Sequence, residues 1–206
     1  MAEKTYEFTV NEKKDFDIKI SFPCKVVVMS NDSAKVKITF ASDRLNKLED
    51  CFKLKTDNTS NRFDIKLKTI ENIEDVIVTI CLPSEFINKI EIKGAIDKLS
   101  ILDIKADNIE ANGETSIVEI KNVHSHIELN SNADMIISCL NTVGKLDINQ
   151  LSANSKLSLP SETKFKAENK GRKTQLTVSD ELKQSNDSCL SVELNGMKSN
   201  LTIIKA

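Results

Sequence analysis

The stretch IEIKGAIDKLSILDIKADNIEANGE, residues 90–114, places its apolar residues in pairs two apart: Ile90/Ile92, Leu99/Ile101 and Ile109/Ala111. Alternation of this kind marks a half-buried β-strand, whereas an amphipathic helix would repeat every three to four residues. The first pair returns beyond the stretch as Ile127/Leu129 and Leu146/Ile148, so its anchors are spaced by 19, 18 and 19 residues. A second series runs out of phase with it: Leu99/Ile101, Val118/Ile120, Ile136 with its neighbours, and Leu157/Leu159. Each unit of about 19 residues therefore holds two short strands and two turns. One such unit cannot bury its own apolar face, but units stacked in register share one continuous core, as in a β-solenoid. Four units between residues 88 and 163 would rise roughly 19 Å at about 4.8 Å per strand.

The turns keep the same period. Gly94 and Gly113 lie 19 residues apart and Asn132 is expected to continue their column. Asn122 and Asn141 form a second column by the same arithmetic. Gly and Asn are the residues that accept positive φ, which tight turns require. A β-sandwich with turns about every 9 or 10 residues is the competing architecture. It gives no reason for both strands and both turns to share one period.

Outside the repeat, DFDIKI, KVVVM, KVKITF, FKLK, RFDIKL and VIVTICLP read as strands bounded by turn-forming residues. DRLNKLED, residues 43–50, reads as a helical turn or loop. LNGM, residues 194–197, reads as a tight turn whose hairpin caps the final edge. The expected fold is all-β: a single-stranded parallel β-helix (β-solenoid) of about 19-residue coils. It forms a single domain over 1–206, with a more irregular N-terminal β region at 1–83, regular coils at 84–163, and C-terminal coils with a cap at 164–206.

Composition narrows the function. Of 29 basic residues only Arg44, Arg62 and Arg172 are arginine, so bidentate contacts to phosphate or guanine are scarce. Aromatic residues are 4% with no Trp, which removes the usual platforms for stacking bases, and a net charge of -2 gives no pull on a polyanion. No nucleic-acid partner is expected. Five cysteines without a CxxC pair read as reduced thiols in or beside strands. No run of about 18 apolar residues occurs, so no membrane insertion is expected. MAEKTYEFTV lacks the apolar core of a leader. Cytoplasm is the expected location, or the cell surface if a leader has been removed.

The strand closing on VIVTICLPSEF, the repeating stretch at 90–114 and the ending VELNGMKSNLTI together resemble a bacterial adhesin family of β-solenoids. Its members are largely of unknown function and related to the head domains of autotransporter adhesins. The likeness covers nearly the whole chain and carries no catalytic signature. It implies the right hand of the β-helix and a non-catalytic, adhesin-like binding module for an unknown protein or surface partner.

One stretch invites chemistry. HSHIELN, residues 124–130, sets His124 and His126 before Glu128 on a strand. If Ile127 and Leu129 point inward, His126, Glu128 and Asn130 point outward. The period then lines up Glu91, Glu110, Glu128 and Asp147 in one outer column, where adjacent carboxylates repel. Lys89, Lys93 and Lys145 at the ends of the column offer relief. A divalent cation held by His126, Glu110 and Glu128 is the sharper reading, but no dedicated ligand spacing supports it. His124 belongs to the preceding turn and need not face the same way. We expect a solvated strand face and no cofactor. Asn112, Asn130 and Asn149 are expected to hydrogen-bond along their column. The alternative to a binding module is a cytoplasmic scaffold that self-associates through its ends. A carbohydrate-active β-helix enzyme comes third, because short turns build no cleft and a flat face raises no pKa.

Overall fold

The computed structural model describes residues 2–42, 52–69 and 75–206. DRLNKLED and Cys51 lie outside the described residues. The strands are β1 (Ala2–Thr9), β2 (Lys14–Ile20), β3 (Lys25–Asn31), β4 (Lys35–Ser42), β5 (Phe52–Asn58), β6 (Arg62–Thr69) and β7 (Ile77–Pro83). They continue as β8 (Ile87–Gly94), β9 (Ile96–Leu102), β10 (Lys105–Asn112), β11 (Thr115–Lys121), β12 (His124–Ser131) and β13 (Ile136–Leu140). The last six are β14 (Val143–Leu151), β15 (Asn154–Leu159), β16 (Phe165–Asn169), β17 (Gln175–Val178), β18 (Leu190–Met197) and β19 (Asn200–Lys205).

They form two open, mixed sheets. One runs β1-β4-β7-β3-β9-β11-β13-β15-β19-β17 and the other β16-β18-β14-β12-β10-β8-β2-β6-β5. From β8 to β15 successive strands alternate between the sheets, and each ladder within this region is parallel. Antiparallel pairing occurs where β1 meets β4, β4 meets β7 and β5 meets β6.

The pairing sets Ile90 beside Ile109, Ile109 beside Ile127 and Ile127 beside Leu146, all essentially buried. The opposite column runs Leu99, Val118, Ile137, Leu157. Ile137 thus takes the inward place expected of Ile136, which is 61% exposed and pairs with Ile117 and Lys156. Met135 is buried as well, and strict alternation then turns Ile136 out. The inward side chains of both sheets make one core. At its N-terminal end the rings of Phe8, Phe16 and Phe63 close the stack at centroid distances of 5.8 and 6.0 Å.

Turn chemistry agrees in part. Asn122 and Asn141 sit at φ 54° and 50°, and each amide donates one strand back, Asn141 to Asn122 at 3.1 Å and Asn122 to Asp103 at 2.7 Å. Gly113 packs so closely that a Cβ would lie 2.0 Å from the Gly94 carbonyl oxygen. Asn132 does not continue that column. Its φ is not positive, and the ladder that pairs Asn112 with Asn130 brings Ser131 to the place after Gly113.

The C-terminal order departs from expectation. β18 does not turn back at LNGM. It lies between β14 and β16, parallel to both, as β19 lies between β15 and β17. Gly196 follows from this threading: a Cβ there would be 1.8 Å from the Gln150 carbonyl oxygen. The edge is covered by an excursion of the chain, with Ser185 N–H donating to Phe165 O at 2.8 Å and Leu182 buried beneath. The N-terminus mirrors this, since β2 lies between β8 and β6, and β3 between β9 and β7. The pairs β2–β3 and β18–β19 are thus both enclosed, with another part of the chain lying outside each.

Candidate functional site

The outer face of the nine-stranded sheet carries an acid at one register position on every strand. The ladders align Asp57, Asp64, Asp17, Glu91, Glu110, Glu128, Asp147, Glu193 and Glu168. The column therefore extends well beyond the four acids expected. Its signal stood in the sequence as an apolar–acid–apolar triplet on seven of the nine strands, from Phe16-Asp17-Ile18 to Val192-Glu193-Leu194.

Cations from neighbouring columns neutralise its ends. Arg62 binds both Asp17 and Asp64, and Lys93 meets Glu91 at 2.6 Å. Lys145 bridges Asp147 at 2.9 Å and Glu193 at 3.0 Å, and Lys170 reaches Glu193 at 2.6 Å. Burial pushes the Glu193 carboxyl up, but hydrogen bonds from Lys170 and Lys145 outweigh it and hold the group below its ordinary value. The hydrogen bond to Asp147 raises the Lys145 ammonium in turn.

The two central acids are held differently. Glu110 accepts from Asn112 at 2.9 Å and Asn130 at 3.2 Å, and Glu128 from Asn108 at 3.3 Å. The asparagine ladder is present as expected, Asn149 donating to Asn130 at 2.6 Å and Asn130 to Asn112 at 2.7 Å. His126 does not join Glu110 and Glu128. Its Nε2 lies 2.7 Å from Asp147 Oδ2 and 3.9 Å from Glu128, because the ring leans toward β14 and Glu110 is engaged by amides on the other side. Among the described residues no three His, Cys, Asp or Glu converge as a metal set.

Beside His126 the sheet is indented. The register of β8 against β2 jumps past Asn88, and that of β10 against β12 jumps between Lys105 and Asn108. Each jump is a β-bulge, which bends its strand and re-aims the side chains beside it. Two bulges on adjacent strands open a groove of about 660 Å³, edged by Lys13, Glu85, Lys105, His124, His126 and Lys145. Gly144 also lines it, at a place where a Cβ would lie 2.2 Å from Ser125 O. His124 is exposed on the same face as His126, contrary to its expected place in the turn. Lys13 and Lys105 make no ion pair among the described residues. Ser125 donates its hydroxyl to the His126 carbonyl at 3.0 Å, so it does not address an imidazole. The groove thus offers exposed cationic, acidic and imidazole groups to a polar ligand. Its existence had no signal in the sequence, because the bulges appear only when strands are paired.

The chain matches no family model and no curated protein. Solved structures do resemble it. One is a "putative cell adhesion protein" from Clostridium sporogenes, at 14% identity and TM-score 0.40, covering 100% of this chain and 99% of that one. Another is a "putative adhesin" from Bacteroides fragilis, at 11% identity and TM-score 0.43, covering 98% of this chain and 97% of that one. A third, from Parabacteroides distasonis, is described as a "putative lipid binding protein", at 11% identity, TM-score 0.38 and coverage of 98% and 96%. The neighbours bear the adhesin description that the sequence resemblance led us to expect. Among the described residues no helix is long and apolar enough to cross a membrane.

Proposed function

We propose that the chain is a non-catalytic, adhesin-like binding module, a right-handed β-helix of about 19-residue coils that presents its ligand site on a rigid strand face. One domain spans 1–206, with regular coils at 84–163 between an irregular N-terminal region and a capped C-terminus. The observation that carries the reading is the bulge-built groove, whose cations and imidazoles stand in solvent on strands fixed by ladders on both sides. A surface of this kind selects a ligand by charge and hydrogen bonding. Ser125 and His126 are turned away from each other's reactive atoms, which favours binding over acyl transfer.

The test is saturable binding to a panel of immobilised matrix proteins and surface polysaccharides, repeated with Lys105→Glu and His124→Glu together. Binding to one member that the double variant loses is the expected result. Shortening of a polysaccharide by the wild-type protein and not by the variant would make the groove an active site.

A further inference from the structure

The outer face of the other sheet has a different character. Between β7 and β15 it turns outward Ile77, Val27, Met29, Leu102 and, most exposed, Ile117, Ile136 and Leu140. Ile117 and Ile136 are direct register partners, 43% and 61% exposed. Four lysines are interleaved with them, since Lys25, Lys98 and Lys156 share the isoleucine column and Lys121 pairs with Leu140 and Leu102. Two carboxylates reach solvent from these six strands, Asp97 on β9 and Glu119 on β11. Lys98 meets Glu119 at 2.8 Å, and that contact with a further hydrogen bond from Ser100 holds its carboxyl below the ordinary value. Lys25, Lys121 and Lys156 make no ion pair among the described residues. The opposite sheet carries a carboxylate on every strand, interleaved with cations such as Arg62, Lys89, Lys93, Lys145 and Lys170.

We propose that this face docks peripherally on an anionic lipid surface. The charge fits, since four lysines outnumber two carboxylates there and Lys25, Lys121 and Lys156 make no ion pair among the described residues. The shape also fits: outward side chains on six neighbouring strands make a flat patch about 24 Å along the stack. A plane suits a bilayer interface, where apolar tips meet the acyl boundary and lysine stems carry their ammonium groups to the phosphates. The surface is separate from the groove and does not depend on what the groove binds.

Co-sedimentation of the full chain with phosphatidylcholine vesicles, with and without phosphatidylglycerol, tests it. Binding only to the anionic vesicles, and weaker in salt, is expected. Each juxtaposed lysine contributes on the order of five-fold in affinity. Lys25→Gln with Lys156→Gln should therefore cost about 25-fold, with an unchanged thermal melt. Ile117→Ser with Ile136→Ser should weaken binding while the lysines stay in place. Lys105→Glu in the groove should leave vesicle binding intact. No binding to anionic vesicles, equal binding to neutral ones, or binding that survives both double variants would overturn the proposal.

Discussion

At the scale of single residues, the same amino acid means different things according to what lies one strand away. Gly196 looked like a turn glycine because Asn-Gly favours hairpins, yet it is a glycine because the Gln150 carbonyl occupies the place of its Cβ. The distinction can be measured. A hairpin would tolerate Gly196→Asn, whereas here both Gly196→Asn and Gly196→Ala should destabilise by more than about 2 kcal/mol in chemical denaturation. His126 is the second case. Its hydrogen bond to Asp147 satisfies an imidazole nitrogen without a metal. Calcium and manganese at about 1 mM should leave the melting temperature unchanged, although a site of about 10 µM affinity would add roughly 2.7 kcal/mol. Glu110→Gln with Glu128→Gln removes repulsion in the column and should leave the protein equally or slightly more stable. A manganese-dependent rise in the wild type, abolished by that double change, would reinstate the cation.

At the scale of elements, the outer column is a run of acids that must be answered strand by strand. β14, β16 and β18 are answered by Lys145 and Lys170, which converge on Glu193, only 11% exposed in its side chain. A carboxyl held below its unfolded value stabilises the protein above that value and loses the contribution as pH falls through its folded one. Stability should therefore decline as pH drops below about 4.5, the ordinary value for Glu193. Glu193→Gln should flatten the slope of melting temperature against pH in that window. An unchanged slope would mean that Glu193 titrates alike in both states. The inward phase of β14 and β18 is legible because an apolar–acid–apolar triplet admits one orientation. The phase of β13 is not, because Met135, Ile136 and Ile137 are all apolar and only pairing with β11 and β15 decides which one turns out.

At the scale of the molecule, the ends are built by threading β2–β3 and β18–β19 between other strands. Leu140-Asn141-Thr142-Val143 leads from β13 to β14, and Pro160-Ser161-Glu162 with Cys189 occupies the equivalent places before β18. Residues 163–188 are then an excursion that leaves the stack after one turn and returns to the next, covering the edges of β18 and β19 on the way. Removing 163–188, so that Glu162 joins Cys189, should leave a folded protein with the β14–β18 ladder intact. Its newly bared edges should make it associate with rising concentration in size-exclusion chromatography with light scattering. A protein that stays monomeric would show that the excursion does not protect the edge. A protein that fails to fold would show that the excursion holds the stack together.

The sequence by itself determined the all-β class and, within the 88–163 stack, the neighbours of each strand and the inward and outward faces of all but β13. These follow from local alternation and a constant period, which any single strand carries in its own residues. Only the tertiary structure decided four things: the insertion of β2–β3 and β18–β19 between other pairs, the outward turn of Ile136, the bulges that open the groove, and the partner of His126. Each depends on which strand lies alongside and in what register, and backbone pairing leaves no mark on the side-chain pattern of the strand that accepts it.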